Sequence, residues 1–387
     1  MINRILKDKL VHLAGKFPVV SVTGPRQSGK TTLIKSVFPN YEYTSLEDPD
    51  VRLHAAQDPR SFLASNERMI IDEIQQVPEL FSYIQTITDS SGLTGQFIIS
   101  GSQSFLLNER ISQSLAGRVA ILNLLPFSLS ELKEASKSFS SYEEQIYTGF
   151  FPRLYDQQID PLDFYPNYLQ TYIERDVRLL KNIHDLNLFV RFMKLLAGRT
   201  GQLINLSSLS NDAGIKVNTV KSWLSVLETS FIIFFLQPHY KNFNKRLVKT
   251  PKLYFHDTGL ACSLLDLESA EQLKSHYLLG GLFENYVLSE LMKNRYNLGK
   301  RNNCYFWRDN KGMEIDCIID KGDKLVPIEI KAGRTFTSDY FKNIKYYKGI
   351  SDNLSDDPIV VYGGEKSRQT SDGKLIAWNQ ICKMRQK

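Results

Sequence analysis

Apolar runs of strand length alternate with helical patterns between residues 19 and 125. The runs are rich in β-branched residues and end in turn residues, which predicts buried strands. The predicted strands are 19–23, 69–71, 96–102 and 119–124. Residues 2–13 place apolar side chains at helical spacing among charged ones, which predicts an amphipathic helix. This alternation is typical of an α/β fold with a doubly wound parallel sheet.

The pattern turns helical after residue 161 and then predicts three helices followed by a hairpin. These elements are helices at 188–197, 206–213 and 217–227, a buried strand at 231–236 and a basic stretch at 239–252. Gly214 suits the end of the second helix, and Asn218 suits the N-cap of the third. The order predicts a winged helix-turn-helix.

The third of these helices is the candidate DNA-contacting element. Its predicted exposed residues are Thr219, Lys221 and Ser222, which could enter the major groove. The lysines and arginines of the basic stretch are Lys241, Lys245, Arg246, Lys249 and Lys252. They lie where a wing would contact phosphates. A winged helix that binds only proteins has the same pattern, so a DNA partner and a protein partner both remain open.

Composition and charge limit the protein class. The 387 residues are 42% hydrophobic and 23% charged, as in a globular protein of two or three domains. The longest apolar run, 231–236, is far too short to cross a membrane, and the N-terminal helix is not a signal peptide. The four cysteines have no paired spacing, which favours the cytoplasm over a disulfide framework or a zinc site. A net charge of +6 permits a nucleic-acid partner without requiring one.

A phosphate-binding loop follows the first predicted strand. It reads Gly24, Pro25, Arg26, Gln27, Ser28, Gly29, Lys30 and Thr31, with Thr32 next. The two glycines allow a close approach of the backbone to a phosphate, and the helix that follows directs its first N–H groups at the anion. Lys30 can reach the β- and γ-phosphates, and the Thr31 hydroxyl can hold Mg²⁺. The sequence therefore predicts ATP and Mg²⁺ as ligands.

Asp72 and Glu73 follow the second predicted strand and complete such a site. Asp72 is predicted to hold Mg²⁺ through water, and Glu73 to orient and deprotonate the attacking water. A water that needs its own base favours hydrolysis over transfer to a small molecule. An ordinary acidic turn is the alternative, which the pairing with the loop makes the weaker one.

Three further side chains have open roles at this site. Ser102, after the third strand, either senses the γ-phosphate or is a plain turn serine. Arg118 is either a surface arginine or an arginine finger for the nucleotide of its own chain or of a neighbour in a homo-oligomer. Arg175 could act in trans in the same way, although a salt-bridged helix face is favoured for it.

Two strands near the end of the chain carry a second charged group. Alternation places Glu314 and Asp316 on one face of the first strand. Glu329 and Lys331 share a face of the second. A two-residue turn at 322–323 sets Asp316 opposite Glu329, and Glu314 opposite Lys331. Facing carboxylates repel unless a cation or proton lies between them, and a Mg²⁺-dependent nuclease has this arrangement.

Glu284, on a predicted helix, is the candidate third carboxylate of that metal site. The alternative is a hairpin with a solvent face of alternating charge, in which Glu314 and Lys331 form an ordinary cross-strand pair. Spacing alone leaves both interpretations open.

Together these motifs resemble the AAA-type ATPases of bacteria and archaea that have a C-terminal domain of unclear function. The segments that carry the resemblance are 24–32, 71–73, 100–102, 115–118, 172–177, 257–260, 281–285 and 328–331. The resemblance implies a P-loop AAA-like core, a winged helix and a restriction-endonuclease-like α/β domain. The residues that it assigns to ATP hydrolysis are Lys30, Thr31, Asp72 and Glu73. Those that it assigns to the nuclease core are Glu284, Asp316, Glu329 and Lys331.

The predicted domains are an ATPase domain at 1–135, a helical linker or lid at 136–186, the winged helix at 187–265 and the nuclease-like domain at 266–387. We expect an ATP-hydrolysing, DNA-associated protein with a nuclease-like C-terminal domain, for which Mg²⁺-dependent cleavage of DNA is an open role. One alternative is a nucleotide-dependent switch that binds a protein partner and has a non-catalytic nuclease-like domain. The other is an active nuclease in which ATP controls access to the nuclease site.

Overall fold

The computed structural model describes residues 2–102, 114–172, 185–239, 249–351 and 358–384. The chain divides into two units. The first comprises Met1–Phe127, Thr229–Phe231 and Tyr296–Lys300. The second comprises Ser128–Glu228, Ile232–Arg295 and Arg301–Lys387.

A five-stranded parallel sheet forms the centre of the first unit. Its elements are α1 (Leu6–Ala14), β1 (Val19–Thr23), α2 (Lys30–Val37), β2 (Glu42–Ser45), α3 (Pro49–Gln57), α4 (Pro59–Ala64), β3 (Met69–Asp72), a 3₁₀ turn (Ile74–Gln76), α5 (Leu80–Ser91), β4 (Phe97–Gly101) and β5 (Val119–Asn123). The strand order is β2-β3-β4-β1-β5, and every neighbouring pair is parallel. The carboxyl ends of the strands therefore meet at one edge.

Burial on both faces explains why three strands of this sheet, β1, β3 and β4, were predictable. β1 and β4 are buried along their whole length, and separate apolar clusters cover the two faces of the sheet. The four predicted strands are confirmed within one residue at each end. The amphipathic helix is confirmed as α1, which buries Leu6, Leu10 and Ala14. β2 was not predicted because it is polar and half-buried.

Helices make up the first half of the second unit. They are α6 (Leu129–Glu134), α7 (Tyr142–Thr148), α8 (Pro152–Asp156), α9 (Pro161–Tyr172), α10 (Leu186–Ala197), α11 (Leu206–Ala213) and α12 (Val217–Thr229). An antiparallel pair follows, β6 (Ile233–Leu236) and β7 (Lys252–Phe255). α6, which the predicted ATPase domain included, belongs to this unit.

The three-helix pattern is confirmed with one correction. Gly214 ends α11 with φ 69°, a left-handed conformation that glycine adopts at no steric cost. The proposed N-cap, Asn218, is wrong, because α12 already begins at Val217 and Asn218 lies inside its first turn. Arg175 and the basic residues Lys241, Lys245 and Arg246 lie outside the described residues.

The second half of this unit is a six-stranded sheet of order β12-β13-β11-β10-β9-β8. Its elements are α13 (Thr258–Leu264), α14 (Ala270–Lys274), α15 (Leu279–Asn297), β8 (Cys304–Arg308), β9 (Glu314–Asp320), β10 (Leu325–Lys331), α16 (Lys342–Lys348), β11 (Ile359–Tyr362), β12 (Arg368–Thr370) and β13 (Gly373–Ala377), with 3₁₀ turns at Ser338–Phe341 and Trp378–Lys383. Across the described ranges, every helix is too short or too polar to span a bilayer.

The hairpin of β9 and β10 has the predicted register. Lys321 N donates to Lys324 O at 3.0 Å across the turn. The ladder pairs Leu325 with Asp320 and continues to Ile328 opposite Cys317. One step further along this register sets Glu329 against Asp316, the pair predicted from the length of the turn.

Candidate functional site

The glycine loop joins β1 to α2 at the carboxyl edge of the first sheet. Gly29 has φ 89° and precedes the first residue of α2, Lys30. Gly24 has φ 153°, and a Cβ there would lie 2.1 Å from the carbonyl oxygen of Leu124. Gly29 is therefore needed for its backbone conformation, and Gly24 is needed because a side chain has no space there.

Two polar groups of the loop are arranged for an anion. Lys30 Nζ donates to Gly24 O at 3.0 Å and to Pro25 O at 2.9 Å, so its ammonium lies inside the loop. Ser28 is fully buried, and its Oγ has no hydrogen-bond partner in the part of the chain that the structure describes. A buried hydroxyl without a partner costs about 1–3 kcal/mol, which a phosphate oxygen accepting from it would offset.

The rest of the loop is held from outside. Arg4, itself buried, donates to the backbone oxygens of Ser28 at 2.7 Å and Leu125 at 2.6 Å. Arg26 lies 3.7 Å from the Glu47 carboxylate. The loop is therefore fixed before any ligand arrives, which lowers the entropic cost of binding.

Thr31, in the first turn of α2, and Asp72, at the end of β3, meet at the carboxyl edge of the sheet. The sequence predicted that these two residues belong to one site. Thr31 Oγ1 donates to Asp72 Oδ2 at 2.8 Å. The Tyr43 hydroxyl donates to the same oxygen at 3.1 Å, and Ser100 Oγ donates to Oδ1. Burial and the Asp72 carboxylate raise the pKa of Tyr43 to about 12, so it remains a donor at neutral pH. Asp72 is thus oriented through both oxygens.

Glu73 occupies an unusual backbone conformation directly after β3. Its φ of 54° is left-handed, which costs a residue with a side chain on the order of 1 kcal/mol. Glu73 Oε2 accepts from Ser102 Oγ at 3.2 Å and from the side-chain amide of Gln75. Ser102 is therefore close enough to hold Glu73, and such strain is typical of residues aimed at a functional site.

Arg118 lies at the opposite edge of the sheet. It immediately precedes β5, which runs parallel to β1, whereas the loop follows β1. The length of β5, at about 3.3 Å per residue, separates those edges by roughly 13 Å. The guanidinium forms two hydrogen bonds to Asp89, with Nη2 2.9 Å from Oδ2. This position separates Arg118 from the glycine loop of its own chain, and the pair with Asp89 fits the surface-arginine interpretation; a role in trans stays a prediction.

Asp316, Glu329 and Lys331 come together in the second unit. Lys331 Nζ lies 3.2 Å from Asp316 Oδ2 and 2.5 Å from Glu329 Oε2. Asp316 Oδ2 also accepts from Ile330 N at 2.8 Å. Burial, followed by the Asp316 charge, raises the pKa of Glu329. The lysine is the cation that the facing carboxylates need.

Glu284 and Glu314 bind a different lysine, Lys252. Its Nζ lies 2.9 Å from Glu284 Oε1 and pairs with Glu314 Oε1. Burial, followed by Asp316, raises the pKa of Glu284, while Lys252 opposes that rise. Burial also disfavours the charge of Lys252, but the surrounding carboxylates outweigh it and its pKa lies above the ordinary value.

Two interpretations of the sequence fail at this cluster. Lys252 was assigned to a basic wing, but its side chain is 3% exposed and cannot reach a phosphate backbone. The ordinary cross-strand pair of Glu314 with Lys331 is also wrong. Glu314 pairs instead with Lys252 and with Arg308, at 3.2 Å, and Lys331 pairs with Asp316 and Glu329.

The carboxylate oxygens suit Mg²⁺ chemically, but they are not arranged around a shared point. Among the described residues, no three acidic, histidine or cysteine side chains form a group that could hold a metal ion. The two lysines neutralise the carboxylates instead. A metal at Asp316, Glu329 and Glu284 requires these ion pairs to open.

The sequence did not predict the contacts of Tyr43 and Ser100 with Asp72, and it placed Lys252 in a wing rather than among the carboxylates. Tyr43 is on the unpredicted strand β2, and its contact depends on β2 lying beside β3. Asp257, within a segment of the family resemblance, has a structural role. It caps α13 through Leu260 N and accepts from the Tyr165 hydroxyl at 2.6 Å.

Three family models match successive parts of the chain. Residues 139–271 and 279–381 match two families described as domains of unknown function, DUF8612 and DUF4143. Residues 16–133 match a family described as AAA domain.

Similar proteins come from distant organisms. An uncharacterized protein of Mycobacterium tuberculosis is 29% identical over 357 residues, which cover 92% of this chain and 78% of that protein. An uncharacterized protein of Haemophilus influenzae is 24% identical over 347 residues, covering 80% and 81%. A Walker-type ATPase of Pyrococcus abyssi aligns with 68% of this chain and 96% of its own at 15% identity, with a TM-score of 0.45. The family match, together with the loop and strand order, gives residues 16–133 an AAA-type P-loop fold.

Proposed function

We propose that the first unit binds ATP with Mg²⁺ and hydrolyses the nucleotide. The observation that carries this proposal is the 2.8 Å contact between Thr31 Oγ1 and Asp72 Oδ2 beside the glycine loop. Mg²⁺ prefers oxygen ligands and keeps several waters, so Thr31 would bind it directly and Asp72 through water. The bound ion supplies positive charge to the phosphate oxygens.

The loop supplies the remaining phosphate contacts. Lys30 exchanges the Gly24 and Pro25 carbonyls for β- and γ-phosphate oxygens, and Ser28 Oγ gains a phosphate acceptor. The backbone N–H groups at the end of the loop and the start of α2, from Gly29 to Thr32, would donate to the anion. Arg26 lies at the rim.

Glu73 is the proposed general base. Ser102 and Gln75 hold its carboxylate through one oxygen, which leaves the other for a proton of the attacking water. Ser102 would therefore position Glu73, and it would lie on the γ-phosphate side of the site. Arg118 would act only on the nucleotide of a neighbouring subunit in a homo-oligomer.

Equilibrium binding of a fluorescent ATP analogue with Mg²⁺ tests the nucleotide site. Lys30→Ala is expected to weaken binding by at least about tenfold, because a charge-assisted phosphate contact contributes roughly 1.5–3 kcal/mol. Lys7→Ala, an exposed lysine on α1, is the matched control and should bind as the wild type does. Equal affinity of Lys30→Ala and wild type refutes the proposal.

We also propose that α10 to α12 and the β6–β7 hairpin form a winged helix that contacts DNA. Lys221 of α12 is exposed, whereas Thr219 and Ser222 are partly buried. Binding through phosphates weakens steeply between about 50 and 200 mM salt. Lys221→Ala should weaken binding and make this salt dependence shallower, and a protein that ignores DNA at low salt contradicts the assignment.

For the carboxylate cluster we propose a nuclease-like site that would take up Mg²⁺ once its ion pairs with Lys252 and Lys331 open. The grouping of Asp316, Glu329 and Lys331 favours it, because two carboxylates can hold a metal while a lysine positions the attacking water. Asp316→Ala should abolish Mg²⁺-dependent cleavage of DNA, and Asp323→Ala, on the exposed turn, should not. If the wild type cuts no form of DNA with Mg²⁺ or Mn²⁺, this cluster is non-catalytic.

The alternative is a nucleotide-dependent switch that binds a protein partner. Such a protein binds ATP tightly, hydrolyses it slowly and gives a turnover rate that DNA does not change. The ion pairs within the carboxylate cluster favour this switch function over a nuclease that is always active.

A further inference from the structure

Lys252 is a buried charge that neither the ATP site nor the proposed nuclease arrangement uses. It is the first residue of β7, and the Phe306 ring centre lies 5.7 Å from its Nζ. Its ammonium contacts Glu284 and Glu314, which belong to different elements, α15 and β9. Glu284 and Glu314 are 30 residues apart in sequence. In the contacts described, Lys252 is the only cation that both carboxylates share.

We propose that Lys252 is an internal cation that takes the place of a divalent ion between Glu284 and Glu314 and keeps this half of the cluster closed to metal. The inference concerns the carboxylates of the proposed nuclease site. It does not require DNA cleavage, and it is independent of ATP hydrolysis.

The charges around the lysine support this role. Four carboxylates gather here, and each of the two lysines is shared by two of them: Glu284 and Glu314 with Lys252, and Asp316 and Glu329 with Lys331. Two buried like charges are costly without a cation between them. An ammonium is a compact point charge with three donors, so it can satisfy both carboxylates at once.

The carboxylates are also fixed in the direction of the ammonium. The Tyr254 hydroxyl donates to the same oxygen of Glu284 that Lys252 binds, and Arg308 holds the other oxygen of Glu314 at 3.2 Å. The lone pairs that a metal would need are therefore already directed at a bound cation. Removal of the ammonium should leave two prearranged carboxylates with no counterion.

The lysine comes from the hairpin that follows the three-helix array. β7 pairs with β6 in the register Leu236 opposite Lys252, and Leu203, before α11, forms a bridge to Lys252. Movement of this hairpin would therefore move the backbone of Lys252. Such a movement would link the proposed DNA-contacting element to the access of metal to the cluster.

The test measures Mn²⁺ binding to the nucleotide-free protein by isothermal titration calorimetry. Lys252→Met removes the charge and keeps the length of the side chain. It should bind Mn²⁺ at least about tenfold more tightly than the wild type, because carboxylate ligands without a competing cation raise affinity by orders of magnitude. Any ion bound in the first unit is common to both proteins and cancels in the comparison.

Thermal unfolding provides the second measurement. In EDTA, Lys252→Met should unfold at a lower temperature than the wild type, and Mn²⁺ should restore much of the difference. The double variant Lys252→Met with Glu284→Gln should be less sensitive to EDTA and should lose the Mn²⁺ effect. Lys293→Met is the matched control, since Lys293 is a buried lysine paired with Glu290 at 2.9 Å. It should be destabilised without rescue by Mn²⁺.

Equal Mn²⁺ affinity in wild type and Lys252→Met overturns the proposal, as does equal rescue of Lys252→Met and Lys293→Met. Neither result bears on ATP turnover or on DNA cleavage, which are measured separately. The inference and the proposed function can therefore fail independently.

Discussion

Replacement of Glu73 by glutamine separates hydrolysis from nucleotide binding. Glu73→Gln keeps the volume and an oxygen that can accept from Ser102, but it removes the proton acceptor. The residue is 8% exposed, so bulk water cannot easily provide another base. The left-handed backbone at this position is unchanged, because glutamine and glutamate have the same backbone restrictions.

The expected loss follows from the role of the side chain. A positioned general base contributes about 10²- to 10⁴-fold to a rate. That range corresponds to roughly 3–5 kcal/mol of transition-state stabilisation. Ser102→Ala leaves the base in place but removes one contact of 3.2 Å, so its turnover should fall by less than that of Glu73→Gln.

Steady-state phosphate release and ATP-analogue binding should be measured on the same protein samples. Glu73→Gln should retain the affinity of the wild type for Mg-ATP and lose turnover by at least about 10²-fold. A variant that hydrolyses ATP within a fewfold of the wild-type rate shows that Glu73 is not the base. A parallel loss of binding would mean that the residue supports the fold of the site instead.

Three further predictions concern residues around these sites. Tyr43→Phe should lower the free energy of unfolding by about 1 kcal/mol in urea titrations, because it removes a hydrogen bond to Asp72; no change would contradict the importance of that contact. His256 is buried, and its pKa is lowered from 6.5 to about 3, so the unfolded chain binds a proton below pH 6.5 that the folded protein resists. Stability should fall by up to about 1.4 kcal/mol per pH unit from pH 6.5 downwards, and His256→Phe should flatten this dependence in denaturation curves at several pH values. Arg118→Ala should lower ATP turnover only at protein concentrations where the chain self-associates; a loss that is independent of concentration would place Arg118 at its own nucleotide.

The first unit was largely predictable because its signals are local. The β-branched run at 19–23 and the glycines of the loop are adjacent in sequence, and each has one favourable conformation. The meeting of Thr31 with Asp72 also follows from general rules, since the carboxyl ends of parallel strands share an edge. Tyr43 could not be placed, because its contact depends on the strand order β2-β3 and the sequence does not specify that order.

In the second unit, the contacts that could not be predicted join residues far apart in sequence. The two-residue turn fixed the register of β9 and β10, and with it the approach of Asp316 to Glu329. The sequence places Lys252 in a basic stretch, but its partners, Glu284 and Glu314, are 32 and 62 residues away in sequence. Only the tertiary fold brings them together. The opposite case is Arg118, whose motif suggested a catalytic role, but whose place at the far edge of the sheet separates it from the glycine loop of its own chain.

The steady-state ATPase rate with and without double-stranded DNA, with Lys30→Ala as the control, tests the central claim most directly. We predict Mg²⁺-dependent turnover that Lys30→Ala abolishes and that DNA stimulates. Turnover that persists in Lys30→Ala would contradict the assignment of the loop as the catalytic site. Turnover that requires Lys30 but does not respond to DNA would contradict the DNA-associated function and favour a switch that binds a protein.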